Sequence, residues 1–157
     1  MANEAPQPES ARIRLMRPED ASQLAEILQD APETVAWLPA EPSSGAALAS
    51  TFLLVSESPH EITGFLMARQ AADEAEILNI AVRRAQRRTG VASALFLAAL
   101  GELHVRKATR LFLEVRESNT PAIAFYRKHG FRRVGKRPAY YRHPDEAALL
   151  FERKLTD

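Results

Sequence analysis

From Arg12 to Met16 the chain alternates Arg-Ile-Arg-Leu-Met, the two-residue period of a strand with one buried face. The period then lengthens. Leu24, Ile27 and Leu28 recur at helical spacing up to about Asp30, behind Pro18, Glu19 and Asp20, which suit the first turn of a helix. Residues 38–45, with two prolines and two serines, read as a loop, and a short helix is expected over 44–49. Strands are expected over 51–56 and 61–71, joined by a turn near Pro59, and over 76–82. From Gly90 to about Lys107 apolar residues occupy nearly every side for three turns, which predicts a buried helix. Residues 110–115 form a strand pattern interrupted by one charge, Glu114. Ser118-Asn119-Thr120-Pro121 marks a helix start, with Thr120 as the cap and Pro121 in the first turn. Gly130 ends that helix in a left-handed conformation, and strands over 131–134 and 148–155 close the pattern around Tyr140-Tyr141.

Antiparallel hairpins that feed βαβ-type units imply a mixed sheet with helices on both faces, an α/β or α+β class. The length, 157 residues, fits one domain. It is expected over 11–157, behind a polar, disordered tail over 1–10.

Composition narrows the chemistry. With 46% apolar and 26% charged residues and no cysteine, the chain has no means of making disulfides, Cys-ligated zinc, iron–sulfur clusters or a cysteine acyl-enzyme. The longest nearly apolar stretch, 91–100, is far short of the roughly 20 residues of a membrane span. The N-terminus carries Glu4, Glu9 and prolines rather than the charge and apolar run of a signal peptide. A soluble, cytoplasmic protein is expected. The four histidines, His60, His104, His129 and His143, lack metal-ligand spacing and read as surface or cap residues, so no metal is expected.

A formal net charge of +1 conceals a division. Residues 1–80 hold 4 basic and 13 acidic side chains, a balance of −9; residues 81–157 hold 17 and 7, a balance of +10. Such a split suits nucleic acid, an anionic small ligand, or two oppositely charged walls of one cleft, and it also arises from solvated surface alone. A nucleic-acid-binding helix would be basic with polar spacing, whereas residues 90–103 are apolar almost all round.

The anionic-ligand option has a specific location. Arg87-Arg88-Thr89-Gly90-Val91-Ala92 lies between a strand and a helix, where unpaired N–H groups carry partial positive charge. Gly90 permits close main-chain approach, and Arg83, Arg84, Arg87 and Arg88 suit phosphate oxygens. Neither a Walker loop nor a three-glycine dinucleotide fingerprint is present. A solvated basic turn with a helix cap would look the same.

Asn79-Ile80-Ala81-Val82 followed by Arg87-x-x-Gly90-x-Ala92 resembles the acetyl-CoA motif of the GNAT N-acetyltransferases. The resemblance implies the GNAT fold, a mostly antiparallel mixed sheet of about six or seven strands. It implies that the strand before the turn splays from its neighbour, that Ile80, Ala81 and Val82 hold the pantetheine arm, and that Arg87, Arg88, Thr89, Gly90, Val91, Ala92 and Ser93 hold the phosphates.

Further along, Leu113-Glu114-Val115-Arg116, Ser118-Asn119, Ala124-Phe125-Tyr126 and Gly130-Phe131 resemble one branch of that family, the RimI-like ribosomal-protein-alanine N-acetyltransferases. The 12-residue spacing from Glu114 to Tyr126 matches that branch, as does Arg137-x-x-Tyr140-Tyr141; Ala147 stands where the branch usually has aspartate. A charge at Glu114 in a strand that looks buried needs a reason, an ion pair with a nearby arginine being the plainest. The resemblance supplies another: Glu114 as the base that deprotonates an α-amine, Tyr126 as the acid that protonates the coenzyme thiolate, and Asn119 as a contact to coenzyme A. The partner implied is a protein N-terminus, alanine of a ribosomal protein, with Trp37, the 39–45 loop and Tyr140-Tyr141 as acceptor walls. A small amine or lysine as acceptor, or a coenzyme-binding sensor without turnover, is the alternative.

Overall fold

The computed structural model describes residues 11–30, 50–142 and 145–155. The 1–10 tail, Trp37, the 38–45 loop, the 44–49 helix and His143 lie outside the described residues. In chain order the elements are β1 (Arg12–Leu15), α1 (Ala21–Gln29), β2 (Thr51–Glu57), β3 (Ile62–Ala71), β4 (Glu74–Val82), α2 (Val91–Val105), β5 (Arg110–Arg116), α3 (Thr120–Lys128), β6 (Arg132–Tyr141) and β7 (Glu146–Lys154). A single 3-10 turn over Pro18–Asp20 leads into α1, where proline's fixed φ is tolerated. Among the described residues no helix is long and apolar enough to cross a membrane.

The seven strands form one sheet in the order β1-β2-β3-β4-β5-β7-β6. Every neighbouring pair is antiparallel except β4 with β5, which α2 connects, since a parallel pair needs a long crossover. Alternate residues of a strand face opposite sides, and the core divides accordingly. Phe52, Leu54, Leu66 and Ala68 join the large cluster under α2 and α3, while Val55 and Phe65 join Leu24 and Ile27 of α1 on the other side.

Three details differ from the sequence expectation, the first being that β6 runs on to Tyr141 rather than ending at Val134. Leu97 and Val105 of α2 are exposed, although the apolar pattern predicted burial nearly all round. The helix buries Val91, Leu95, Phe96, Ala99 and Leu103, with Ala98 and Leu100 partly covered beside them, because a helix lying on a sheet has one covered side. The cap of α3 is Asn119 rather than Thr120: its Oδ1 accepts the Ala122 N–H at 3.3 Å, and Thr120 is already the first helical residue.

Candidate active site

β4 and β5 pair for only four residues, Glu74 with Arg110 through Ile77 with Leu113. β4 runs on to Val82 and β5 to Arg116 with no further pairing between them. The cause is local to β4. Against β3, Met67 faces Asn79 but Ala68 faces Ile77, so Leu78 is an extra residue. Such a bulge bends and twists its strand, here at the point where the pairing with β5 stops. Glu114 is the first residue of β5 beyond the last pair.

The opening is a groove of about 490 Å³. One wall is β4 from Ile77 to Val82, the other is formed by Glu114, Val115 and Arg116 of β5 with the start of α3, and Arg87, Arg88 and Ala92 stand at one end. Because the groove passes between two strands, side chains from opposite faces of the sheet reach it. Tyr126 rises from the cluster beneath α3, and Glu114 lies on the other face, alternating with buried Leu113 and Val115.

Of the residues singled out from the sequence, Ile80, Ala81, Val82, Arg87, Arg88, Ala92, Glu114, Asn119 and Tyr126 line this groove, and Thr89, Gly90, Val91 and Ser93 do not. Val91 is core, packed beneath the sheet. The Thr89 hydroxyl donates to the Gln86 carbonyl, tightening the turn. Ser93 Oγ lies 3.2 Å from His129 Nε2, and that ring sits between Phe96 and Phe125 at 4.8 and 4.5 Å. Burial, with Lys128 and Arg153 nearby, lowers the His129 pKa below its ordinary value. Gly90 caps α2 with φ +90, a left-handed conformation that other residues adopt at a cost, and the space its missing Cβ would enter is open. Arg87 is tied by Nε to the Val82 carbonyl at 3.2 Å and by Nη2 to the Asp30 carbonyl at 2.9 Å, which fixes the turn against the end of α1.

Around Glu114 the structure gathers groups that the spacing of residues along the chain does not bring together. Arg137 Nη2 is 3.4 Å from Glu114 Oε1. The Tyr140 phenol is held above its ordinary pKa, first by a hydrogen bond to Glu114 and then by burial. Burial also pushes Tyr141 up to about 12, with Glu114 adding to it, while Arg116 lies 4.3 Å over the Tyr141 ring. The Tyr126 phenol is likewise held above its ordinary pKa, by burial and then by Tyr141. A carboxylate able to accept a proton and phenols able to give one thus share a groove whose β4 edge has no strand partner and whose far end is basic. Such a groove suits an extended polar chain with an anionic head.

Arg116, Tyr141, Leu78, Asn79 and Phe125 line the groove without having been named from the sequence as groove residues, Tyr141 having been expected only at the acceptor wall. A wider hollow of about 590 Å³ lies elsewhere, between the end of α3 and β7, and carries none of these groups. Among the described residues no three His, Asp or Glu side chains are gathered as a metal site.

The model of the acetyltransferase (GNAT) family matches residues 19–131. The chain is 38% identical over 84 residues to the ribosomal protein bS18-alanine N-acetyltransferase of Haemophilus ducreyi, a match covering 54% of this chain and 58% of that one. It is 32% identical over 109 residues to an N-alpha-acetyltransferase of Sulfurisphaera tokodaii, covering 61% and 65%. The chain thus spans between about half and two thirds of the length of these curated relatives. Its fold superposes on that of the ribosomal-protein-S18-alanine N-acetyltransferase from Escherichia coli with a TM-score of 0.77 at 27% identity, over 94% of this chain and 96% of that one.

Proposed function

Because the chain belongs to the acetyltransferase (GNAT) family, we propose that it moves the acetyl group of acetyl-CoA to the α-amine of a protein N-terminus, alanine of a ribosomal protein being the acceptor that its relatives' names suggest. The observation that carries this assignment is the split between β4 and β5 with Glu114 at its apex. The unpartnered edge of β4 suits the amide-bearing arm of the coenzyme. Arg87, Arg88 and the N-terminus of α2 suit its phosphates, and the left-handed Gly90 leaves the space there open. Asn119, which caps α3 and lines the groove, is placed to bound the coenzyme from the α3 side.

Glu114 takes the proton from the acceptor ammonium, whose pKa is near 7.7–8.0, directly or through water. The amine nitrogen attacks the thioester carbonyl, and a backbone N–H on the Ala81–Val82 edge stabilises the oxyanion. As the carbon–sulfur bond breaks, Tyr126 gives its proton to the departing thiolate, and the nitrogen loses its second proton to water, from which the phenol is restored. Direct transfer between the two substrates in a ternary complex fits this arrangement, and the lack of cysteine excludes a cysteine acyl-enzyme.

The test mixes the protein with acetyl-CoA and a panel of alanine-starting peptides, lysine-containing peptides with blocked N-termini, and small amines. Thiol release is followed and the acetyl group is located by mass spectrometry. Acetylation confined to the α-amine of an alanine-starting, arginine-containing ribosomal peptide supports the full assignment. Thiol release with small amines or lysine alone retains the chemistry and discards the N-terminal acceptor. Coenzyme binding with no release from any acceptor would leave a sensor.

A further inference from the structure

Glu114 lines not one groove but two. The second, of about 340 Å³, lies on the α1 side of the sheet between β4, β5 and the strands β7 and β6. Its walls include Glu74, Glu76, Phe112, Val134, Leu150 and Arg137. Both Arg137 and Glu114 line it, and the guanidinium lies against the carboxylate at 3.4 Å.

We propose that Arg137 is a built-in stand-in for the acceptor: its guanidinium occupies, on Glu114, the position that the acceptor's ammonium takes when it binds. Three features support this. The pair is loose, one contact at 3.4 Å with the Arg137 side chain 56% exposed, so a competing cation loses little by replacing it. Arg137 does not depend on Glu114 alone, since its guanidinium also lies 5.6 Å over the Tyr140 ring, a contact that a cation arriving at the carboxylate leaves in place. The segment that carries both is set by a break in strand register: between Arg137 and Tyr141, β6 holds two residues more than β7 does. There Ala139 adopts φ +51, a costly conformation for a residue with a Cβ. The other basic residue at this groove, Arg69, is engaged with Glu76 at 2.8 Å. Arg137 is therefore the cation that an incoming amine displaces, a gate that weakens the binding of every amine by a similar factor and leaves neutral ligands untouched.

The inference rests on the assignment of Glu114 to the acceptor amine, and its test needs no turnover. The affinity of an alanine-starting peptide amide, and of the same peptide with its α-amine acetylated, is measured by calorimetry in the presence of coenzyme A. The proteins compared are the parent, Arg137→Gln and Arg137→Lys. The Gln variant should bind the free amine about fivefold more tightly, the weight of one exposed ion pair. The acetylated peptide should bind both proteins equally, and Arg137→Lys, which keeps the cation, should resemble the parent. Adding Glu114→Gln should abolish the effect of Arg137→Gln. Equal changes for both peptides would mean that Arg137 merely shapes the segment. That result, weaker binding of the free amine by the Gln variant, or no binding by either protein overturns the proposal. Absence of thiol release by the parent is a separate failure, of the catalytic role of Glu114 and not of this gate.

Discussion

Two partly or fully buried carboxylates, Asp20 and Glu114, each face an arginine, and the two pairs are built in opposite ways. Asp20 is saturated. Arg14 Nη1 and Nη2 reach its two oxygens at 2.8 and 3.0 Å, the Arg17 main-chain N–H donates to Oδ2 at 2.8 Å, and Arg14 Nε is held by Glu57 at 2.8 Å. The Arg14 hydrogen bonds hold the Asp20 carboxyl below its ordinary pKa. Glu114 has one loose arginine contact, one phenol and an open groove on either side. Both ion pairs rest on similar chemistry. The first pair clamps β1 to the start of α1 and β2 and leaves no oxygen available, whereas the second leaves the carboxylate within reach of a ligand. A buried charge stabilises structure when both its oxygens are held by close partners, and serves chemistry when one is left within reach of a ligand.

The contrast breaks most sharply at Glu114. Glu114→Gln should lower the rate constant for acetyl transfer by about 10²–10⁴-fold while coenzyme affinity and thermal stability hold. Single-turnover kinetics beside a melting curve separates the two, and unchanged turnover would remove Glu114 from the role of base.

Asp20→Ala should do the reverse. It leaves the Arg14 guanidinium buried without its main partner, at a cost of about 3–5 kcal/mol in urea unfolding, with transfer by the folded fraction unaffected. The pH dependence sharpens this further. Because the Asp20 pKa is lowered in the folded state, its stabilisation is complete above its ordinary value of 3.8 and is lost as pH falls below that value through the folded one. The stability difference between the parent and Asp20→Asn should therefore shrink in acid, and a constant difference down to acid unfolding would contradict the pairing.

Smaller effects are expected where the groove meets its supports. A Cβ at Gly64 would lie 2.9 Å from the Ala81 carbonyl oxygen and 3.0 Å from Val91 Cγ1, so Gly64→Ala should cost about 1–3 kcal/mol and shift β4 against α2. Coenzyme affinity should weaken alongside stability, which neither carboxylate variant predicts. Asn119→Ala removes the cap of α3 and should cost about 1 kcal/mol, with Asn119→Ser restoring most of it, as thermal melts would show.

Much of this was legible in the chain. The alternation over 12–15, 51–57 and 110–116 and the helical stripe of α1 follow from side-chain periodicity, which local backbone geometry dictates. Glu114 announced itself as a charge among Leu111, Leu113 and Val115. The length of β6 did not. It runs through Arg137 and Tyr140 with eight of its first nine positions open to solvent and Pro138 among them, so it lacks an apolar alternation to identify it. The bulge at Leu78 left no trace either, because Glu-Ile-Leu-Asn-Ile-Ala-Val reads as an ordinary strand whether or not one residue slips its partner.

The sequence by itself determined most of the elements, the mixed sheet, the basic turn before α2 and the odd placing of Glu114, since each depends on short-range spacing or on a residue type in an unexpected place, whereas Tyr126 was marked only by the family resemblance. The tertiary structure alone decided that β4 and β5 part after four pairs, that Tyr126 and Glu114 from opposite faces of the sheet share one groove, and that Arg137, 23 positions beyond Glu114, rests on it. Those facts depend on register and on a bulge. Both are settled by competition among whole strands for pairing and burial, which no local window of the chain contains.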